Sequence, residues 1–250
     1  MCYISNTIIK MRTLTILFLI TALLIPGSVK AQSSGLIASG YQNLETKNFS
    51  AAINDFSQVL RENPRDTAAL SGVIRAYILT ENFKEAQRYI DIAIRDYPNN
   101  PEFYMRRGIL NNLRGQPRKA IADFDKALEV GSGQIAVSVY INRGAAHLKD
   151  ENFNSAIDDF TEALNINPRS ISALNYRAFI SYRQGNFSDA IEDYDKSLDL
   201  DPENAMGYYN RGMAHLRSGN KAKACADFHA SCSRGNMNAC RMIMAECGGK

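Results

Sequence analysis

Apolar and polar positions recur along this chain with a period of 34 residues. Pro64 and Pro98 are 34 apart, and so are Pro168 and Pro202. Counting back from each proline gives blocks at 33–66, 67–100, 137–170 and 171–204, with two more at 101–134 and 205–238 that lack the proline. The twentieth position is alanine in every block: Ala52, Ala86, Ala120, Ala156, Ala190 and Ala224. The twenty-fourth is large: Phe56, Ile90, Phe124, Phe160, Tyr194 and Phe228. The eighth is small in five blocks (Gly40, Gly108, Gly144, Ala178, Gly212), with Ile74 the exception.

Within each half-block the apolar residues fall at i, i+3, i+4 and i+7, the spacing of one buried helical stripe. The pattern predicts an all-α protein built from helical hairpins. Small residues at positions eight and twenty let the paired helices approach, and the aromatic fills the space beside them. Asn or Gly near position fifteen (Asn82, Gly115, Gly185, Gly219) suits the turn between helices. Proline at position thirty-two stops the second helix. Two extra residues at 135–136, beside Gly131-Ser132-Gly133, predict a change of angle between the third and fourth units.

The stretches Tyr140-Ile-Asn-Arg-Gly and Ala156-Ile-Asp-Asp-Phe-Thr-Glu-Ala-Leu-Asn-Ile-Asn-Pro168 resemble the two helices of the tetratricopeptide (TPR) family. The resemblance runs in phase through six blocks. It implies an α-solenoid, a right-handed superhelix whose first helices line a concave groove. A single hairpin cannot bury its apolar face, so stability would come from neighbours. In that groove, positions two, five, nine, twelve and thirteen of the first helices would meet a ligand. They include Tyr41, Arg75, Met105, Ile109, Asn112, Ile141, Lys149, Asn175, Phe179, Tyr182, Arg183, Tyr209, Met213 and Arg217. Aromatics, Met and Arg are enriched at binding hot spots, although several of these would also pack between repeats. The expected partner is a protein or peptide segment. The Lys and Asn pattern by which some family members clamp a C-terminal carboxylate is not reproduced, so an acidic chaperone tail is not the expected ligand.

Charge adds a second regularity. Position seven is Arg107, Arg143, Arg177 and Arg211 in the last four blocks, and position twenty-three is Asp123, Asp159, Asp193 and Asp227. Block two carries Val73 and Tyr89 instead, and block one pairs Ser39 with Asp55. Folding the hairpin so that position eight meets twenty sets seven beside twenty-three, which predicts four ion pairs inside repeats. Repetition argues against a single catalytic carboxylate.

The N-terminus reads as a secretory leader, residues 1–31. Lys10 and Arg12 precede an apolar run from Leu14 to Ile25, then Pro26-Gly27 and the small-residue pattern of Val29-Lys30-Ala31. The run has 12 residues, short of the roughly 20 that span a bilayer as a helix. Cleavage before Gln32 would leave no membrane span and place the mature chain in the periplasm or outside the cell. Removing Lys10, Arg12 and Lys30 from the 29 Lys+Arg leaves 26, against 26 Asp+Glu. A nucleic-acid binder would carry a basic excess, so no nucleic-acid partner is expected.

Export makes disulfides plausible. Cys225, Cys232, Cys240 and Cys247 all fall in the last 26 residues, where a turn at Ser233–Asn236 precedes a last, capping helix (237–250 with its tail). Seven residues of helix rise roughly 10 Å, too far for a Cys225–Cys232 or Cys240–Cys247 bridge. Two pairings survive, of which Cys225–Cys247 with Cys232–Cys240 is in register about a turn at 236. The Cys232–Cys240 spacing also resembles cysteine-containing Sel1-like repeat proteins. Free thiols and a four-cysteine zinc site remain as alternatives, although the close ligand pairs of zinc ribbons are absent.

His147 and His215 sit at position eleven and His229 follows Phe228; all three read as structural. No H-E-x-x-H, G-x-S-x-G or P-loop occurs. Neither a catalytic residue nor a cofactor or metal site is expected, and the reading is a non-enzymatic interaction module of the envelope. The alternative is a Sel1-like cell-wall-active or peptidoglycan-binding protein.

Overall fold

A computed structural model describes residues 25–248, with side chains from Gln32 onward. Most of the expected leader therefore lies outside the described residues. The backbone is helical from Ile25, and no strand occurs among the described residues. Among the described residues thirteen α-helices follow in order, in two compact units.

The first unit, through Pro98, holds α1 (Ile25–Glu45), α2 (Phe49–Glu62), α3 (Thr67–Leu79) and α4 (Phe83–Asp96). The second, from Asn99, holds α5 (Pro101–Leu113), α6 (Pro117–Val130), α7 (Gln134–Lys149), α8 (Phe153–Ile166), α9 (Ile171–Arg183), α10 (Phe187–Leu200), α11 (Ala205–Arg217), α12 (Lys221–Ser233) and α13 (Met237–Met242). A single π-helical turn, Ile243–Cys247, ends the second unit. Each unit is a stack of antiparallel hairpins. Within each, consecutive first helices pack directly on one another.

Sequence sets the ends of these helices through two short signals. Asp66, Asn100, Ser170 and Asn204 cap the first helices of their hairpins, each accepting a backbone N–H with its side-chain oxygen. Asn82, Asn152 and Asn220 do the same for second helices. The turn residue just before is left-handed in all six hairpins, at Lys47, Glu81, Gly115, Glu151, Gly185 and Gly219. In the second hairpin the turn therefore rests on Glu81, and Asn82 is a helix cap rather than the turn residue the sequence suggested.

The cores repeat as well. Phe56, Phe124, Phe160 and Phe228 are completely buried, and the position-eight glycine lies under each ring. A Cβ on Gly108 would stand 2.5 Å from Phe124 Cε1, and one on Gly144 2.8 Å from Phe160 Cε1. Where the ring is Tyr194, position eight is Ala178, and both are buried. Hairpin two instead buries Ile74 and Ile90 at the same two positions.

The two extra residues at 135–136 do not form a longer loop. They lengthen α7 to 16 residues, where the other first helices of this unit have 13, and leave Gly131–Gly133 as the connection. Gly131 tolerates no side chain there, because a Cβ would meet Pro101 Cβ at 2.5 Å.

Candidate functional site: the inner face of the second unit

The first helices α5, α7, α9 and α11 form the face that the sequence assigned to ligand, and their positions divide sharply. Met105 is buried, so it belongs to the core and not to the open face. Ile141 packs on the core around Phe160, Tyr182 on that around Tyr194, and Tyr209 and Met213 on that around Phe228. Ile109 is half-buried. In the first unit Tyr41 meets Phe56 edge-on at 5.2 Å and donates to Ala68 O at 3.0 Å, whereas Arg75 is exposed. The physical reason is common to these positions. Most of these side chains are taken up by the cores around Phe56, Phe160, Tyr194 and Phe228, within and between hairpins.

What remains open lies one helical step away, at position thirteen. Lys149, Arg183 and Arg217 are exposed in the last turns of α7, α9 and α11, at intervals of 34 residues. None has a carboxylate partner among the described residues. The Lys149 ammonium donates to Asn112 O at 2.7 Å, and the Arg183 guanidinium lies 5.9 Å from the Phe179 ring centre. Phe179 is exposed at 37%, Leu113 at 54% and Met206 at 54%. Asn112 Oδ1 and Asn175 Oδ1 are buried with no hydrogen-bond donor among the described residues. Leu113 and Met206 were not singled out in the sequence, although Leu113 shares position thirteen with the cations.

Charge is segregated between the two layers of this unit. Its first helices carry eight Lys and Arg and one acid, Glu102; its second helices carry six Lys and Arg and twelve acids. The position-seven arginines join the layers. Arg107 Nη2 lies 2.7 Å from Asp123 Oδ1, Arg143 Nη2 2.6 Å from Asp159 Oδ1, Arg177 Nε 2.7 Å from Asp193 Oδ2, and Arg211 Nη2 2.7 Å from Asp227 Oδ1. Three of these arginines also reach back to position twenty-five of the preceding repeat. Arg143 bonds Asp125 at 2.6 Å, Arg177 bonds Thr161 at 3.2 Å, and Arg211 bonds Asp195 at 2.6 Å. The sequence reading missed this second reach, though a polar residue at position twenty-five was its signal.

The aspartates are nearly buried while the guanidiniums stay about a fifth to a third exposed. Burial raises the Asp159 pKa from its ordinary value even against the Arg143 charge. Burial opposes charge on Arg143 too, but hydrogen bonds to Asp159 and Asp125 outweigh it and raise its pKa. Removing one partner of such a pair costs ~3–5 kcal/mol, because the other charge is left desolvated. His147 Nε2 stands 3.9 Å from Asp159 Oδ2. His215 is buried, and desolvation lowers its pKa.

The end of this unit is covalently closed. Cys225 is bonded to Cys247 and Cys232 to Cys240, with Cα separations of 5.7 and 4.9 Å. These bridges hold α13 and the π turn against α12, where Ala239, Met242 and Ile243 cover Phe228. The terminal segment is helical from Met237 to Cys247, with its last turn, Ile243–Cys247, a π turn.

Comparison with known proteins falls on the same repeats. Family profiles described as tetratricopeptide repeat match residues 43–107 and 137–170, and one described as TPR repeat matches 180–219. Human Tetratricopeptide repeat protein 13 is 26% identical over 154 residues, which is 60% of this chain and 18% of that protein. The chain thus spans less than a fifth of that relative. Among solved structures, PilW, described as a widely conserved type IV pilus biogenesis factor, superposes with a TM-score of 0.74 at 18% identity, over 85% of this chain and 98% of that one. YrrB, described as a TPR protein with an unusual peptide-binding site, gives 0.60 at 18% identity, over 76% and 97%. At these identities the likeness is one of fold.

Proposed function

Since the chain belongs to the tetratricopeptide repeat family, whose fold serves protein–protein interaction, we propose that it is an exported peptide-binding module. Its ligand is an acidic, extended segment held across α7, α9 and α11. The observation that carries this reading is the row of exposed Lys149, Arg183 and Arg217, none with a carboxylate partner among the described residues, on a layer with a single acid.

Spacing supports an extended ligand. Packed helices lie roughly 8–10 Å apart, and an extended chain advances about 3.3–3.6 Å per residue. One acidic residue in every three therefore keeps step with one cation per repeat. Phe179, beside Arg183, offers an apolar contact between two of the charges. Complementary charge of this kind raises the association rate and gives specificity, and both weaken with salt. The ligand is read along its length and not through a terminal carboxylate, in keeping with the missing clamp pattern.

The leader-like N-terminus and the two disulfides favour an extracytoplasmic setting, where such bridges persist. An assembly or adaptor role in the envelope fits that setting. The test is fluorescence anisotropy with a labelled peptide carrying Asp at every third position around one Phe, against its Lys counterpart. The Asp peptide should bind and the Lys peptide should not. Converting Lys149, Arg183 and Arg217 together to Gln should weaken binding at least tenfold without changing the helical spectrum. Unchanged affinity in that variant would remove the assignment.

A further inference from the structure

The hairpin that departs most from the repeat carries a second feature, in the first unit. A cleft of about 440 Å³ lies between α2 and α4, lined by Leu60, Pro64, Leu70, Tyr89 and Ile92. Around it stand Arg61, Arg88 and Arg95, with one acid, Asp96, and Ser57 completing the lining. Corresponding furrows in the second unit, between α8 and α10 and between α10 and α12, are lined by the charges of the arginine ladder. There Arg177 spans from Asp193 to Thr161, and Arg211 from Asp227 to Asp195. Hairpin two has Val73 where that arginine would be and Tyr89 in place of its aspartate, so among the described residues no strut of the ladder kind crosses the α2–α4 furrow.

The rim is correspondingly cationic. Arg61 and Arg95 both occupy position twenty-nine, which in the later repeats is Glu129, Asn165, Asp199 and Ser233. Arg88 is answered by Glu85 at 2.8 Å and lies 4.2 Å from the Tyr89 ring centre. Arg95 is answered by Asp96 at 2.9 Å, which Arg65 also approaches at 3.7 Å. Arg61 has no ion-pair partner among the described residues. Tyr89 is held in turn by Tyr77, whose ring is stacked on it at 5.7 Å. The site thus combines an apolar floor, a fixed aromatic wall and excess positive charge at its edge.

We propose that this cleft binds a small amphipathic carboxylate, with its hydrocarbon body on Leu70, Ile92 and Tyr89 and its head group between Arg61 and Arg95. At ~30 Å³ for each water-sized group, the cleft takes roughly ten to fifteen heavy atoms, the size of a medium-chain aliphatic acid. Arginine suits the head group because its planar fork bonds a carboxylate through two N–H groups. The site lies in the other unit from the peptide face and stands independently of it.

Isothermal titration of the purified chain with octanoate, octylammonium and acetate tests the assignment. Octanoate should bind one per chain, with acetate and octylammonium at least tenfold weaker. Arg61→Gln with Arg95→Gln should weaken octanoate at least tenfold. Both side chains are exposed, so the melting curve of this double variant should be unchanged. Ile92→Asp gives a second readout, because a like charge on the floor should abolish octanoate binding while peptide binding at the other unit persists. Three results would overturn the proposal: no saturable heat up to millimolar octanoate, equal affinity for octylammonium, or unaltered octanoate binding in the Arg61/Arg95 variant.

Discussion

Gly108→Ala should destabilise this protein, although the same change in an open helix is stabilising. Replacing an interior helical glycine by alanine gains about 0.8–1.0 kcal/mol of helix propensity. At Gly108 the new Cβ would stand 2.5 Å from Phe124 Cε1 and 2.8 Å from two further ring atoms. The ring is wholly buried and cannot swing into solvent. Overpacking of this kind costs typically 1–3 kcal/mol, so the net effect should be a loss of about 1 kcal/mol. Phe124→Ile alone should also destabilise, by about 1–3 kcal/mol, through the cavity it leaves. The two together should lose less than their sum, since hairpin two already buries Ile74 and Ile90 at these positions. A favourable coupling of about 1 kcal/mol or more is expected between touching residues. Urea unfolding followed by circular dichroism at 222 nm measures the cycle. Long repeat arrays can depart from two-state behaviour, so midpoints and slopes are both needed for all four proteins. A stabilised Gly108→Ala, or strict additivity of the pair, would show that ring and glycine do not constrain one another.

Glu151→Gly should stabilise by about 0.5–1 kcal/mol, because Glu151 sits at φ 60 with an exposed side chain and left-handed geometry burdens L-residues by roughly 1–2 kcal/mol; a lowered melting temperature would contradict this. Because the Cys232–Cys240 bridge (separation 8) is nested inside Cys225–Cys247 (separation 22), converting Cys225 and Cys247 to Ser should cost about 3 kcal/mol by chain entropy, against about 2 for Cys232 and Cys240. Oxidised protein melted with and without each pair gives both values, and an equal or reversed order would refute the loop argument. The lowered His215 pKa means that the unfolded chain binds its proton first. Stability from this residue is therefore complete above about pH 6.5 and is lost as pH falls toward the folded pKa, by at most about 1.4 kcal/mol per pH unit. Denaturant titrations from pH 7.5 to 5 should show a shallower decline for His215→Gln, and identical declines would exclude His215 as the cause.

The hairpins were legible because a period of 34 recurs at several independent positions. The arginine–aspartate geometry was legible for the same reason, since one hairpin fold sets position seven beside twenty-three four times over. Its reach to Asp125, Thr161 and Asp195 was not, because adjacency between repeats depends on how hairpins lean on each other. The inner face was the least legible part. Met105, Ile141, Tyr209 and Met213 carry the composition of a binding surface, yet seams and cores consume them. Residue type alone cannot separate a contact between repeats from a contact with a ligand. Similarly, Lys47, Glu81 and Glu151 conceal their turns because none is a glycine.

Each rung from Arg143 onward uses the same two acceptor positions, one in its own repeat and one in the repeat before. A whole block of 34 residues could therefore be duplicated or excised within this run, and the junction would re-form a rung of the same kind. Only a cut out of phase would strand a buried charge. The ladder makes the number of repeats a freely adjustable quantity for evolution and for engineering, while holding the place of every join fixed.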